Sequence, residues 1–252
     1  MEFIPQEKVF VTHSAEEQFF LILRAFEAQE AFHATTFEHL KTVRKLFPVL
    51  YAREYFSFFK EFKESVQKNY PDKSLEQIFD KAEEFLLSNK TLIDQYCNYL
   101  THTDFVPHNF RVSKRNIYML DLVPNASTVH FGNKYEGWAR FVNYMVIHNP
   151  ELENLLSRYI RDNRGEKDYL NLRLMRVYKI GYLLKYYAES LEKTSGDLKE
   201  LTLERIGFWH EILKYILDDK EIPTNFVEKY KQKRDNLRSE DEKRRQKEFA
   251  IA

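Results

Sequence analysis

The sequence predicts a mainly α-helical protein with a small β-hairpin near its middle. Apolar residues recur at helical spacing through eight segments of the 252-residue chain, and a short polar turn between two apolar runs indicates the hairpin. Apolar residues make up 43% of the chain and aromatic residues 15%, which fits a globular protein. A chain of this length can bury a substantial core.

Capping signals begin two of the helices that are predicted before the hairpin. Ser14 followed by Glu17 is a capping box, and it predicts a long helix that ends before Pro48. Ser74 with Gln77 repeats the signal. The predicted helices on this side of the hairpin are residues 15–46, 52–69, 74–88 and 92–98.

Four further helices are predicted after the hairpin, with Gly165 and Gly196 marking turns between them. These helices cover residues 135–147, 151–163, 168–192 and 198–217. Residues 227–246 are dense in charged side chains, and a solvated helix or a frayed tail is the default interpretation. A basic cluster at residues 243–247 leaves open a contact with an anionic partner.

The composition argues against several classes of protein. Lysine and arginine total 39, as do aspartate and glutamate, so the chain lacks the overall basic character of nucleic-acid-binding proteins. Cys97 is the single cysteine, which excludes an intrachain disulfide and a cysteine-rich zinc site. Nothing resembles a signal peptide or a run of about 18 apolar residues. We therefore expect a cytoplasmic protein without a nucleic-acid or membrane partner.

The predicted hairpin carries a polar motif. Within "LTHTDFVPHNFRVSKRNIYMLDL", His102, Asp104 and Asn109 form H-x-D-x-x-x-x-N, and an apolar strand after the turn at residues 113–116 ends in Asp121. Phosphoryl transfer needs one carboxylate to orient the acceptor hydroxyl, while an amide and a second carboxylate hold Mg²⁺. The alternative is that Asp104 and Asn109 are turn residues and His102 is a core histidine.

This segment resembles the catalytic segment of the aminoglycoside phosphotransferase and choline kinase-like family, the small-molecule relatives of protein kinases. The family typically reads H-G-D-x-x-x-x-N, followed by a strand that ends in a metal-binding Asp. The matching residues are His102, Asp104, Pro107, Asn109 and Asp121, with Thr103 in place of the usual Gly. The resemblance implies that Asp104 and His102 are catalytic, that Asn109 and Asp121 hold Mg²⁺, and that ATP is the co-substrate.

The resemblance extends to both sides of the motif. "MEFIPQE" resembles the family's hinge strand, which implies that Glu2, Phe3 and Ile4 receive the adenine. "FGNKYEGWARFVNYM" resembles the segment that follows the metal-binding Asp, with Glu136 near a position where the family often has Asp. The implied parts of a kinase-like carboxy-terminal lobe at residues 1–222 are the hinge (1–7), a helical insertion (48–98), the catalytic hairpin (99–122) and a helical subdomain (134–218), followed by a charged tail (223–252).

The amino-terminal lobe of the family is expected to be absent. All six glycines lie at or after Gly132, so no glycine-rich phosphate loop precedes the motif. A gene model begun at an internal methionine, a fragment and a true orphan domain all remain open. The chain alone is expected to bind Mg-ATP poorly and to self-associate through the face that the missing lobe would cover.

Two functional hypotheses follow. The first is an ATP- and Mg²⁺-dependent phosphotransferase that acts on the hydroxyl of a small molecule. The second is a non-catalytic helical interaction module, a decayed or truncated kinase-like lobe. An aromatic stripe before the motif either packs in the core or, in a phosphotransferase, shapes the acceptor site. The stripe consists of Tyr51, Tyr55, Phe58, Phe59 and Phe62.

Overall fold

The computed structural model describes residues 8–114, 116–122, 128–240 and 243, and over these residues the protein is mainly helical, as predicted. The helices are α1 (Ala15–Ala34), α2 (Leu40–Val43), α3 (Ala52–Asn69), α4 (Lys73–Ser88), α5 (Lys90–Gln95), α6 (Glu136–His148), α7 (Pro150–Arg164), α8 (Glu166–Ser190), α9 (Gly196–Leu217) and α10 (Thr224–Leu237). The strands are β1 (Tyr99–His102), β2 (Phe110–Ser113), β3 (Asn116–Met119) and β4 (Val129–Gly132).

The strands form two small antiparallel sheets. The predicted hairpin is confirmed as β2 paired with β3, with Ser113 opposite Asn116. Strand β1 pairs with β4, which the sequence did not predict, and His102 lies opposite Val129. Backbone atoms of the segment before α3 bond to the other edge of β4, where Phe131 N donates to Pro48 O at 2.8 Å. The motif therefore begins on β1, whose partner β4 is bonded on both edges.

Helix α1 ends earlier than the sequence predicted. Its capping box at Ser14 is confirmed, but the helix stops at Ala34 instead of continuing to about Leu46. The hydroxyls of Thr35 and Thr36 donate to the backbone carbonyls of Phe32 and His33 at 2.8 and 2.7 Å. Side chains that bond to the backbone in this way compete with helix continuation. A 3₁₀ turn and the short α2 follow.

Helix α4 has a different N-cap from the predicted one. The capping residue is Asp72, whose carboxylate accepts from Leu75 N at 2.8 Å. Ser74, the predicted cap, lies inside the helix and donates its hydroxyl to Asp72 at 2.6 Å. Aspartate at the N-cap also interacts favourably with the positive end of the helix dipole.

Helix α8 runs through the centre of the core and packs against α3, α6 and α9. Its contact with α3 is close at Gly181, where a Cβ atom would lie 2.5 Å from the Phe59 ring. The aromatic stripe of α3 is mainly core, since Tyr55, Phe59 and Phe62 are buried. Residues 52–69, which were predicted to begin a helical insertion, are thus packed on the central helix.

Helix α10 lies in the segment that the charge density assigned to a solvated helix or frayed tail. The segment is helical, but one face is buried against α9 and α6 through Val227, Tyr230 and Arg234. Its remaining charged residues face solvent, as in an ordinary amphipathic helix. Among the described residues, no helix combines the length and the apolar character that crossing a bilayer requires.

Candidate functional site

The loop between β1 and β2 is closed by hydrogen bonds between Asp104 and Asn109 of the motif. The Asn109 amide donates to the Asp104 backbone carbonyl at 2.8 Å and to its carboxylate Oδ2 at 3.0 Å. A 3₁₀ turn from Pro107 to Asn109 supports this closure. Asp104 and Asn109 are half-buried. The two residues that the sequence singled out are therefore in direct contact.

The hairpin returns the chain to this loop. Lys114 has a φ of 56°, the left-handed conformation that a two-residue hairpin turn requires. After β3, Leu120 N donates to Asn109 O at 2.8 Å. Asp121 follows in an exposed position with a φ of 60°, which aspartate tolerates better than most residues. Local pairing thus bonds the residue before Asp121 to Asn109.

His102 connects β1 to the end of the hairpin. Because the Leu120 carbonyl can only accept, the His102 ring donates through Nε2, at 2.8 Å. Burial lowers the pKa of His102, although Leu120 O and the carboxylates of Asp104 and Asp121 oppose this effect. This hydrogen bond makes the ring a brace between β1 and the hairpin. The catalytic role that the resemblance implied for His102 stays a prediction.

His108 lies near Asp104 and senses the charge of Asp121. Its Nε2 is 3.9 Å from Asp104 Oδ2. Partial burial lowers the pKa of His108 and Arg140 lowers it further, whereas Asp104 and Asp121 raise it. Both carboxylates therefore act on one exposed imidazole, which indicates that they share a small region of the surface.

Helix α6 approaches the motif closely because of a glycine. A Cβ atom on Gly137 would lie 2.2 Å from the backbone oxygen of His102. Thr103, which stands where the family has glycine, is buried and donates its backbone N–H to Thr128 O at 2.6 Å. Four described non-glycine residues have a positive φ, and Thr103 is not one of them. The backbone here suits a β-branched residue.

A cavity of about 500 Å³ opens beside Asp104. Arg140 and Lys179 line it, and Arg140 Nε lies 3.6 Å from Asp104 Oδ1. Phe58 and Phe62 of the aromatic stripe contribute to its wall. A cavity of this volume can hold a small molecule. The stripe therefore serves the core and also reaches the cavity.

A buried charge network lies behind the cavity, and the sequence did not predict it. Glu136 accepts hydrogen bonds from Lys179 at 2.6 Å and from the Tyr55 hydroxyl at 2.6 Å, and its carboxylate lies 2.8 Å from His130 Nε2. Glu136 is thus an internal anchor that joins α3, β4, α6 and α8. The sequence contains no pattern that would predict contacts among residues from four separate elements.

The donor atoms beside Asp104 are of the type that Mg²⁺ prefers. Because the Asn109 NH₂ group is used by Asp104, its amide oxygen is the atom that it can offer to a cation, together with the Asp121 carboxylate. Among the described residues, no group of three or more His, Cys, Asp or Glu side chains is placed to hold a metal ion.

Other expectations can be compared with the structure only in part. The proposed adenine contacts Glu2, Phe3 and Ile4, and the hinge strand that contains them, lie outside the described residues. On the hairpin side, Tyr118 and Leu122 are large apolar residues exposed by about two-fifths of their surface (39% and 41%). Two exposed apolar side chains are normal on a protein surface, so self-association through this face stays a prediction.

Comparisons with known proteins give no relative. No family model matches the chain, and neither the curated proteins nor the solved structures contain a match. Functional inference therefore depends on the geometry described above.

Proposed function

We propose that the chain provides the acceptor-orienting and metal-binding face of a small-molecule phosphotransferase. The observation that carries this proposal is the direct Asp104–Asn109 contact, supported by the hydrogen bond from Leu120, the residue before Asp121, to the Asn109 carbonyl. A turn-only role for these residues would not require a second carboxylate at the end of the following strand. The adjoining cavity supports an acceptor of small-molecule size.

In this proposal Asp104 accepts a hydrogen bond from the acceptor hydroxyl and takes its proton as the hydroxyl oxygen attacks the γ-phosphorus of ATP. The bond from that phosphorus to the β,γ-bridging oxygen breaks, and ADP leaves with the bonding electrons. His102 holds the loop in position through Leu120, without contacting the reacting atoms. Arg140 orients the Asp104 carboxylate from the cavity side. Asn109 and Asp121 would hold Mg²⁺, which neutralises phosphate charge when it is bound with ATP. The buried, free Cys97 fits the cytoplasmic location that we propose.

Metal binding and transfer can be tested separately. Mn²⁺, which has a readily measured electron paramagnetic resonance signal, should bind the wild-type chain and bind much more weakly after Asp121→Asn. Because the chain is expected to bind Mg-ATP poorly, transfer of radiolabelled phosphate to a panel of hydroxyl compounds is measured at saturating ATP; it should be slow in wild type and lost after Asp104→Asn. The matched control is Asp162→Asn, which removes an exposed carboxylate away from the motif.

The two results distinguish the functional hypotheses. Mn²⁺ binding that is unchanged by Asp121→Asn, or transfer that is unchanged by Asp104→Asn, would contradict the proposal. The non-catalytic helical interaction module would then be the better interpretation.

A further inference from the structure

A second cavity, of about 430 Å³, lies between α6, α8, α9 and α10. Of the described residues that line it, five carry a permanent positive charge and none is Asp or Glu. Lys179 and Arg140 also face carboxylates outside this cavity, Glu136 at 2.6 Å and Asp104 at 3.6 Å. With no carboxylate in the wall itself, the cavity is electropositive and favours an anion. The five cationic residues are Arg140, Lys179, Arg205, Arg234 and Arg238.

Arginines of this cavity lower the pKa values of two tyrosines in its wall, Tyr144 and Tyr230. Burial raises the pKa of Tyr144 to about 12, and Arg140, Arg234 and Arg238 each oppose the rise. Burial likewise raises the pKa of Tyr230 to about 12, against the effect of Arg234 and Arg238. Both tyrosines line the cavity. The arginines thus converge on one space instead of pointing apart.

Arg234, the most buried of these arginines, shares its counter-ion with Arg238. Asp235 Oδ1 lies 2.9 Å from Arg234 Nε and 3.5 Å from Arg238 Nη1, so one carboxylate faces two guanidinium groups. The Asp235 side chain is 52% exposed whereas that of Arg234 is 6% exposed. A solvated carboxylate compensates a buried cation only partly.

Uncharged groups of the wall are also suited to a ligand. The Tyr144 hydroxyl is buried and has no hydrogen-bond partner among the described residues. Buried hydroxyls nearly always have a partner, so a ligand oxygen would complete this one. Tyr144 also stacks on His148 at 4.0 Å, and Trp209 contributes a further aromatic surface. Such faces favour flat or ring-shaped groups.

Another arginine-rich cavity, between α7 and α8, lacks these properties. Its volume is about 80 Å³, and Glu153 and Asp219 are part of its wall. Arg176 pairs with Glu153 at 2.6 Å, and Arg161 pairs with Asp219 at 2.8 Å. Its charges are balanced internally and its space is too small for a drug-sized ligand.

We propose that the cavity between α6, α8, α9 and α10 binds a phosphorylated small molecule that carries a ring. The arginines bind the phosphate oxygens, because the guanidinium fork matches phosphate geometry, and the tyrosines and Trp209 contact the ring. This site goes beyond the phosphotransferase proposal and needs no turnover to be detected. The cavity volume favours a small molecule over a nucleic-acid strand.

Calorimetric titration with phenyl phosphate, inorganic phosphate and phenol tests the site. Phenyl phosphate should bind the full chain most tightly, phosphate more weakly, and phenol below detection. Arg205→Gln should weaken phenyl phosphate binding roughly tenfold, the usual scale for losing a charge-assisted hydrogen bond. Tyr144→Phe should weaken it several-fold without lowering the melting temperature, because the lost hydroxyl has no hydrogen-bond partner among the residues that the structure describes. Arg158→Gln, in the other arginine-rich cavity, is the matched control.

Several outcomes would overturn the proposal. They are an absence of phenyl phosphate binding at millimolar concentrations, equal weakening by Arg158→Gln, and phenol binding as well as phenyl phosphate. Tighter binding of a single-stranded oligonucleotide, with the same dependence on Arg205, would also overturn it and make the cavity a nucleic-acid contact. Melting curves of each variant separate loss of binding from loss of folding.

Discussion

At the scale of single residues, Glu136 carries a negative charge in the interior, with only 2% of its surface exposed. Burial alone would raise the pKa of its carboxyl group, but Lys179 and His130 outweigh burial and hold that pKa well below its ordinary value of 4.5. A carboxyl whose pKa falls on folding stabilises the folded state above the unfolded pKa, and that contribution disappears as the pH falls towards the folded pKa. Glu136 therefore makes the free energy of unfolding depend on pH.

We predict that Glu136→Gln destabilises the protein by about 3–5 kcal/mol at pH 7, because Lys179 and His130 lose the charge that compensates them. The difference from wild type should shrink as the pH falls below 4.5, because unfolded wild type then binds a proton at Glu136 while the folded protein keeps this carboxylate ionised. Urea unfolding at a series of pH values measures this difference. Glu27→Gln, which removes an exposed carboxylate from α1, should have little effect at any pH. A difference that stays constant with pH would contradict the linkage.

The polar motif could be predicted at this scale, whereas the Glu136 network could not. Asp104 and Asn109 are five residues apart in sequence, and their hydrogen bond closes a local loop. Glu136 instead contacts Tyr55 and Lys179, which α3 and α8 supply. These contacts depend on how the helices pack against one another. The spacing of residues along the chain does not reveal that packing.

At the scale of elements, the boundaries depend on which side chain reaches a helix end. Helix α3 begins and ends where the sequence predicted, at residues 52 and 69. Helix α1 is shorter than predicted because Thr35 and Thr36 bond to its last carbonyls. Apolar periodicity continues past both threonines, and for that reason the pattern alone gave one long helix.

The N-cap of α4 gives a direct test of such end effects. Asp72→Ala should destabilise the protein by about 1 kcal/mol, because Leu75 N loses its acceptor. Ser74→Ala should cost clearly less, since the serine hydroxyl only donates to Asp72. Chemical denaturation of the two variants compares them. A larger effect at Ser74 would favour the cap predicted from the sequence.

The contact between α6 and β1 gives a second test. Gly137→Ala should destabilise the protein by about 1–3 kcal/mol, because the new methyl group would overlap the His102 carbonyl and either the helix or the strand must move. Gly207→Ala is the matched control within α9, where a Cβ atom meets nothing within 4 Å. That substitution should stabilise the protein by about 0.5–1 kcal/mol through helix propensity. Thermal unfolding followed by circular dichroism measures both, and stabilisation by both substitutions would rule out the close approach.

At the scale of the whole molecule, one buried cluster joins elements that the sequence analysis assigned to separate parts. It includes Phe26 of α1, Phe59 of α3, Trp138 of α6 and Trp209 of α9. It also includes Tyr230 of α10, from the segment assigned to a charged tail. Because the helices share this core, the insertion, the helical subdomain and α10 have no separate cores that would let them unfold independently.

The two tryptophans allow this cooperativity to be measured. Trp138 stacks on Phe26 at 3.8 Å, and Trp209 packs on Phe208 at 5.2 Å, so they report on α1 and α9 respectively. We predict that the single-tryptophan variants Trp209→Phe and Trp138→Phe each unfold in one step. Each fluorescence midpoint should coincide with the midpoint from circular dichroism of the same variant, because breaking either contact disrupts the common core. A fluorescence transition that precedes the loss of helix in either variant would mean that the two ends unfold independently, and the division into subdomains would then have a thermodynamic basis.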